Sequence, residues 1–167
     1  EQGYPLRLFV PGVEGNLSIK WLRRLKVGDQ PFQTREETSK YTDLMPDGSA
    51  RQFTFAMEAK SVITSPSGGE QLRTPGFRQI RGLAWTGRGR IAGVEVSTDG
   101  GARWEAAALE GPILPRCLTR FRLPWRWEGG PAHLLSRATD QTGYVQPPRE
   151  ALVSIRGTQS FYHNNAI

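Results

Sequence analysis

The sequence predicts an all-β protein whose larger part, residues 57–157, is an immunoglobulin-like sandwich. Three observations carry this reading. About seven short apolar runs follow one another at spacings of about ten residues, the rhythm of strands joined by tight turns. The chain of 167 residues holds 19 Gly and 12 Pro and shows no long helical periodicity. Within residues 92–98, Val94 and Val96 are expected on one face and Glu95 and Ser97 on the other, the two-residue repeat of a half-buried strand.

Taken in order, residues 1–27 read as the last strands of a different domain. Residues 6–10 are a short apolar strand ended by Pro11-Gly12, and Gly15-Asn16 makes a second turn. Residues 18–27 then resume with apolar side chains at 19, 21, 22, 25 and 27. Residues 28–56 are polar, with turns at Gly28-Asp29-Gln30-Pro31 and Met45-Pro46-Asp47-Gly48-Ser49. A stretch of that length without periodicity is a functional loop or a connector wrapped on another domain. The sandwich strands are expected at 59–64, 79–85, 91–97, 104–109, 118–123, 133–138 and 151–155. Between the third and fourth, Asp99-Gly100 is a type I′ hairpin signal. Asp99 bonds the backbone ahead of it, and Trp104 packs back under the turn.

Composition narrows the function classes. No run of about 18 apolar residues is present, so no membrane-spanning helix is expected. The single Cys117 rules out a disulfide scaffold or a Cys-rich metal site. The net charge is +6, and 18 of the 22 basic residues are Arg. Arg73, Arg78, Arg81, Arg88 and Arg90 fall in a stretch with no acidic residue. No helix-turn-helix or stacked-aromatic motif accompanies them, so nucleic acid is not the expected partner. His133 reads as a strand residue, His163 has no second ligand beside it, and Tyr144 reads as a corner aromatic.

Two places have the chemistry of an anion site. Around Pro11-Gly12, Arg7 brings a planar fork, Lys20 a mobile point charge and Ser18 a hydroxyl, a set that suits a phosphate. In Trp85-Thr86-Gly87-Arg88-Gly89-Arg90, two arginines project from a short glycine loop between strands, which suits capture of an oxyanion. The same residues also read as two turns with solvated cations, and spacing alone leaves both readings open.

The run Gly3-Tyr4-Pro5-Leu6-Arg7-Leu8-Phe9-Val10-Pro11-Gly12, followed by Ser18-Ile19-Lys20-Trp21-Leu22, resembles the closing part of the molybdopterin-binding domain of the sulfite oxidase family. The resemblance implies that Arg7, Ser18, Ile19 and Lys20 hold the molybdopterin cofactor. Gln2 stands where the family often has a cofactor-contacting His, which points to the bacterial sulfane dehydrogenase branch. Residues 137–147 and 161–167 resemble that branch too, and residues 29–56 carry the resemblance least. The family also has an Asp-Gly-Gly hairpin in its C-terminal dimerisation domain.

The resemblance implies that residues 1–56 end a molybdopterin-binding domain and its connector, and that 57–167 form the immunoglobulin-like dimerisation domain. The activity implied is oxygen transfer to sulfur, on a sulfane or on sulfite, with electrons passed to a c-type cytochrome in the periplasm. A sulfur-carrier protein presents the substrate in the sulfane case. Arg90 matches the family's substrate-binding Arg, whereas Arg88 stands where the family often has Gly. The molybdenum-ligating Cys lies upstream in the family, so Cys117 is not that ligand and no metal ligand is expected here. A homodimer is implied, with contacts expected around Phe121, Trp125 and Trp127. The reading from another class is a sandwich that only dimerises.

Overall fold

The computed structural model describes residues 2–30, 32, 34–35, 42–51 and 55–157. The sandwich strands lie in two facing sheets. β3 (Lys60–Ser65), β4 (Gly76–Trp85), β8 (Thr119–Trp127) and β7 (Ala108–Glu110) make a four-stranded sheet in the order β3-β4-β8-β7. β6 (Glu105–Ala106), β5 (Ile91–Ser97) and β9 (Leu135–Asp140) make a three-stranded one in the order β6-β5-β9. All pairings are antiparallel. A separate hairpin, β1 (Asp43–Leu44) with β2 (Ala50–Arg51), precedes them.

The core lies between the sheets. Ile80, Ala84, Phe121 and Leu123 come from one side, and Ile91, Val94, Val96 and Ala138 from the other. In β5, Val94 and Val96 are buried and Glu95 makes a two-pronged pairing with Arg137, as expected. Ser97, expected on the polar face with Glu95, is instead buried, its hydroxyl donating to Asp99 and accepting the Gly101 amide at the end of the strand. Gly82 leaves the space that the Phe121 ring fills, and a Cβ there would collide with the ring. Pro124 falls beyond the last residue that pairs with β7, where β8 has a neighbour on one side only, so proline disturbs the sheet little.

Several expectations are corrected. Residues 151–155 are not a strand but part of helix α1 (Arg149–Arg156). Pro148 stands at its N-cap, Glu150 lies in the first turn and Arg156 in the last, an arrangement matched to the helix dipole. Only Leu152 of the run is buried, so one helical stripe replaces two strand faces. The run 104–109 is divided: Glu105–Ala106 pair with β5 and Ala108–Glu110 with β8, so the chain changes sheets at Ala107. The sandwich keeps seven strands because one run splits while another becomes helix.

The Asp99-Gly100 turn is not a two-residue hairpin, because Val96 pairs with Glu105 across a longer loop. Gly100 and Gly101 do take positive φ, and Asp99 accepts the Arg103 amide at 2.9 Å. Trp104 Nε1 closes the loop onto the Gly101 carbonyl at 3.1 Å. Residues 6–10 form no regular strand. Two backbone bonds join them to residues 19–22, Leu8 N–H to Ile19 O and Leu22 N–H to Leu6 O, each 2.9 Å. The Val10 amide turns instead to Ser18 Oγ at 3.5 Å, which breaks the ladder. Phe121, expected at a dimer contact, is 1% exposed and belongs to the core. Residues 161–167, including His163, lie outside the described residues.

Candidate functional site

The loop between β4 and β5 is held from three sides. Thr86 is buried; its hydroxyl donates to Asp140 Oδ2 at 3.0 Å and accepts the Arg88 amide at 3.1 Å. Asp140 is itself buried, and its Oδ1 accepts the Thr142 amide and hydroxyl and the Tyr144 amide. Gln141 clamps Arg90 twice: its Oε1 accepts the Arg90 amide at 3.1 Å, and its own amide donates to the Arg90 carbonyl at 2.9 Å. Gly89 has φ +112°, and a Cβ there would collide with the Gln141 carboxamide, so glycine is required on both counts.

The two arginines of this loop part company. Arg88 is drawn inward, 3.8 Å from Glu58 and over the Tyr144 ring at 5.7 Å. Glu58 is buried and also receives Arg156 from α1 and the Tyr144 hydroxyl at 3.2 Å. Arg90 is exposed, and its guanidinium has no hydrogen bond or ion pair among the described residues. A rigid backbone bearing a free forked cation is what capture of an oxyanion needs.

This loop is joined to the N-terminal segment by backbone hydrogen bonds. Gly87 N–H donates to Met57 O at 2.7 Å, and Met57 N–H to Gly12 O at 2.9 Å. Gly12 has φ +80°, and the backbones of Met57 and Gly87 approach it closely. Beyond that seam, Arg7 and Lys20 flank Gly3: a Cβ on Gly3 would lie 3.4 Å from Arg7 Cβ and 3.3 Å from Lys20 Cβ. Lys20 Nζ donates to Gln2 Oε1 at 3.3 Å. Gln2, Arg7 and Lys20 are thus brought together, with Ser18 and Ile19 on the neighbouring segment. Neither Arg7 nor Lys20 meets a carboxylate among the described residues. Two uncompensated cations around a glycine cradle fit an anionic, phosphate-bearing group such as molybdopterin.

Other sequence candidates lie apart. Cys117 is an exposed free thiol. No three of His, Cys, Asp and Glu gather as a metal site among the described residues. No helix there is long and apolar enough to cross a membrane. Sequence reasoning missed Glu58, Asp140 and Gln141 as supports of the loop, because they come from distant parts of the chain, Asp140 54 residues from Thr86 and Gln141 51 residues from Arg90. It also missed Arg116, whose amide donates to Gly89 O at 2.7 Å.

Residues 51–167 match the Mo-co oxidoreductase dimerisation domain, and residues 1–36 match the oxidoreductase molybdopterin binding domain. The chain belongs to the sulfite oxidase family. Within that family it is similar to the mitochondrial sulfite oxidase of Drosophila melanogaster, 30% identical over 98% of this chain and 32% of the relative. The sulfite oxidase of Gallus gallus is 31% identical over 94% of this chain and 37% of the relative. Among solved structures, the sulfane dehydrogenase SoxCD from Paracoccus pantotrophus superposes with a TM-score of 0.90 at 54% identity, over 99% of this chain and 43% of that one. The chain therefore spans about a third of the length of the sulfite oxidases it matches.

Proposed function

We propose that this chain is the C-terminal part of a molybdenum-dependent sulfane dehydrogenase. The observation that carries the reading is the Arg90 guanidinium, unpaired among the described residues and carried on a loop whose backbone is bonded through Met57 to Gly12 of the segment bearing Arg7 and Lys20. The 54% identity to a sulfane dehydrogenase supports the substrate class. Residues 1–56 complete the molybdopterin-binding domain and residues 57–167 form the dimerisation domain of a homodimer.

The molybdenum cofactor, when bound, supplies two-electron oxygen transfer to sulfur. Gln2, Arg7, Ser18, Ile19 and Lys20 hold its anionic side. Arg90 receives the negatively charged end of the sulfur substrate and orients it. The Thr86, Asp140 and Gln141 bonds hold the backbone that carries Arg90. A c-type cytochrome takes the electrons, a sulfur-carrier protein presents the sulfane, and the enzyme works in the periplasm.

A bacterial sulfite dehydrogenase is the second reading, favoured by the likeness to animal sulfite oxidases. A sandwich that serves only to dimerise is the reading from another class. Metal analysis of the full-length protein separates enzyme from module, since the non-catalytic reading predicts no molybdenum. Turnover of carrier-bound sulfane against free sulfite separates the two enzymes. Oxidation of sulfite alone would overturn the sulfane assignment.

A further inference from the structure

Arg116 sits at the seam between the substrate loop and the molybdopterin segment, and four observations set it apart from the other surface arginines. Its φ is +58°, the left-handed region where a side chain is costly and Gly or Asn is the usual occupant. Its amide donates to the carbonyl of Gly89, the residue before Arg90, at 2.7 Å. Its side-chain stem crosses Gly12: a Cβ there would lie 2.9 Å from Arg116 Cδ and 3.0 Å from Cγ. Its guanidinium has no hydrogen bond or ion pair among the described residues. A merely solvated arginine needs neither a strained backbone nor a glycine beneath its stem. Strain that persists beside a candidate site points to a function that needs the side chain where it is.

We propose that Arg116 is a second anion-binding arginine of the substrate site, acting with Arg90 on the oxyanion end of the sulfur substrate. This rests on the reading of Arg90 given above. Two guanidinium groups, one carried by the loop and one reaching over Gly12 toward the cofactor segment, suit a group with several charged oxygens better than one fork alone. The geometry also assigns a role to Gly12 beyond its turn, since any side chain there would displace the Arg116 stem.

The test uses the full-length, cofactor-loaded enzyme and its Arg116→Gly, Arg116→Lys and Arg90→Ala variants. Sulfate is the equilibrium probe, measured by calorimetry and as a competitive inhibitor, with thermal stability read alongside. Arg116→Gly relieves the left-handed strain, so its Tm is expected to hold or rise. Its sulfate affinity is expected to fall about tenfold, with KM rising more than kcat falls. Arg116→Lys is expected to recover part of that loss. If Arg116→Gly keeps sulfate affinity and KM within about twofold of wild type while Arg90→Ala weakens both, the proposal fails and the Arg90 reading stands. If Arg90→Ala has no effect either, the substrate-loop reading fails and takes this one with it. A lower Tm with unchanged sulfate affinity makes Arg116 structural and overturns the proposal.

Discussion

Thr86 donates its hydroxyl to the buried carboxylate of Asp140 at 3.0 Å across 54 residues of chain, and the same hydroxyl accepts the Arg88 amide. One side chain therefore joins the end of β9 to the turn that presents Arg90. Asp140→Asn keeps the size but replaces one acceptor oxygen with a donor. It is expected to cost on the order of 2 kcal/mol, because the donors it faces lose a charged acceptor inside the protein. Thr86→Val leaves Asp140 Oδ2 and the Arg88 amide without this partner and should cost a similar amount, whereas Thr86→Ser should cost much less. Urea unfolding measures the stability, and hydrogen exchange at the Arg88 amide measures the loop. Equal exchange rates in Thr86→Val and wild type would sink the claim that this bond holds the turn.

The neighbouring arginines should separate functional loss from structural loss. Arg90→Ala removes an exposed cation that has no partner among the described residues, so stability should change by less than about 0.5 kcal/mol. In the full-length enzyme kcat/KM should fall on the order of ten- to a hundredfold, the worth of one charged hydrogen bond. Arg88→Ala loses a cation from the Glu58 cluster and the contact with Tyr144, so it should lower stability by about 1 kcal/mol and disturb turnover less. The reverse ranking in steady-state kinetics would mean that Arg88, not Arg90, meets the substrate.

Glu58 is a buried carboxylate facing Arg156, Arg88 and the Tyr144 hydroxyl. Arg156→Ala strips its nearest cation and leaves the charge inside the protein. The expected cost is on the order of 3 kcal/mol, since breaking one side of a buried pair exceeds the net worth of the pair. The double variant Glu58→Gln with Arg156→Ala should recover part of that loss. Additive losses in the double variant, measured by chemical unfolding, would show that the two residues are not coupled.

Much of this arrangement is visible in the sequence, but unevenly. β5 comes out at Ile91–Ser97 as expected, because its alternation and its flanking glycine turns agree. The convergence of Arg7 and Lys20 also follows from a turn between two short apolar segments. Helix α1 does not, because Ala151-Leu152-Val153-Ser154-Ile155 has an apolar content that either period accommodates; Pro147-Pro148 ahead of it was the overlooked start signal. The difference between Arg88 and Arg90 is invisible locally, since both follow a glycine on one loop. It is made by Glu58 and Gln141, which arrive from distant parts of the chain. The left-handed φ of Arg116 leaves no trace in residue type, because a turn there would ordinarily call for Gly or Asn.

Stability should pass through a maximum near pH 10. Burial at the start of β3 pushes the Lys60 ammonium down from 10.5 to about 8. Between those values the unfolded chain holds a proton that the folded chain lacks, so stability rises with pH across that window. Tyr144 runs the other way. Burial first, then the Glu58 charge and hydrogen bond, push its phenol from 10.0 up to about 12. Above pH 10 the unfolded chain releases that proton while the folded chain keeps it, so stability falls until about pH 12. Lys60→Met should abolish the rise between pH 8 and 10.5. Urea unfolding from pH 7 to 11 on wild type and Lys60→Met checks both arms. A wild-type profile that is flat from pH 8 to 10, or one that Lys60→Met leaves unchanged, would show that the Lys60 ammonium is solvated in the folded protein.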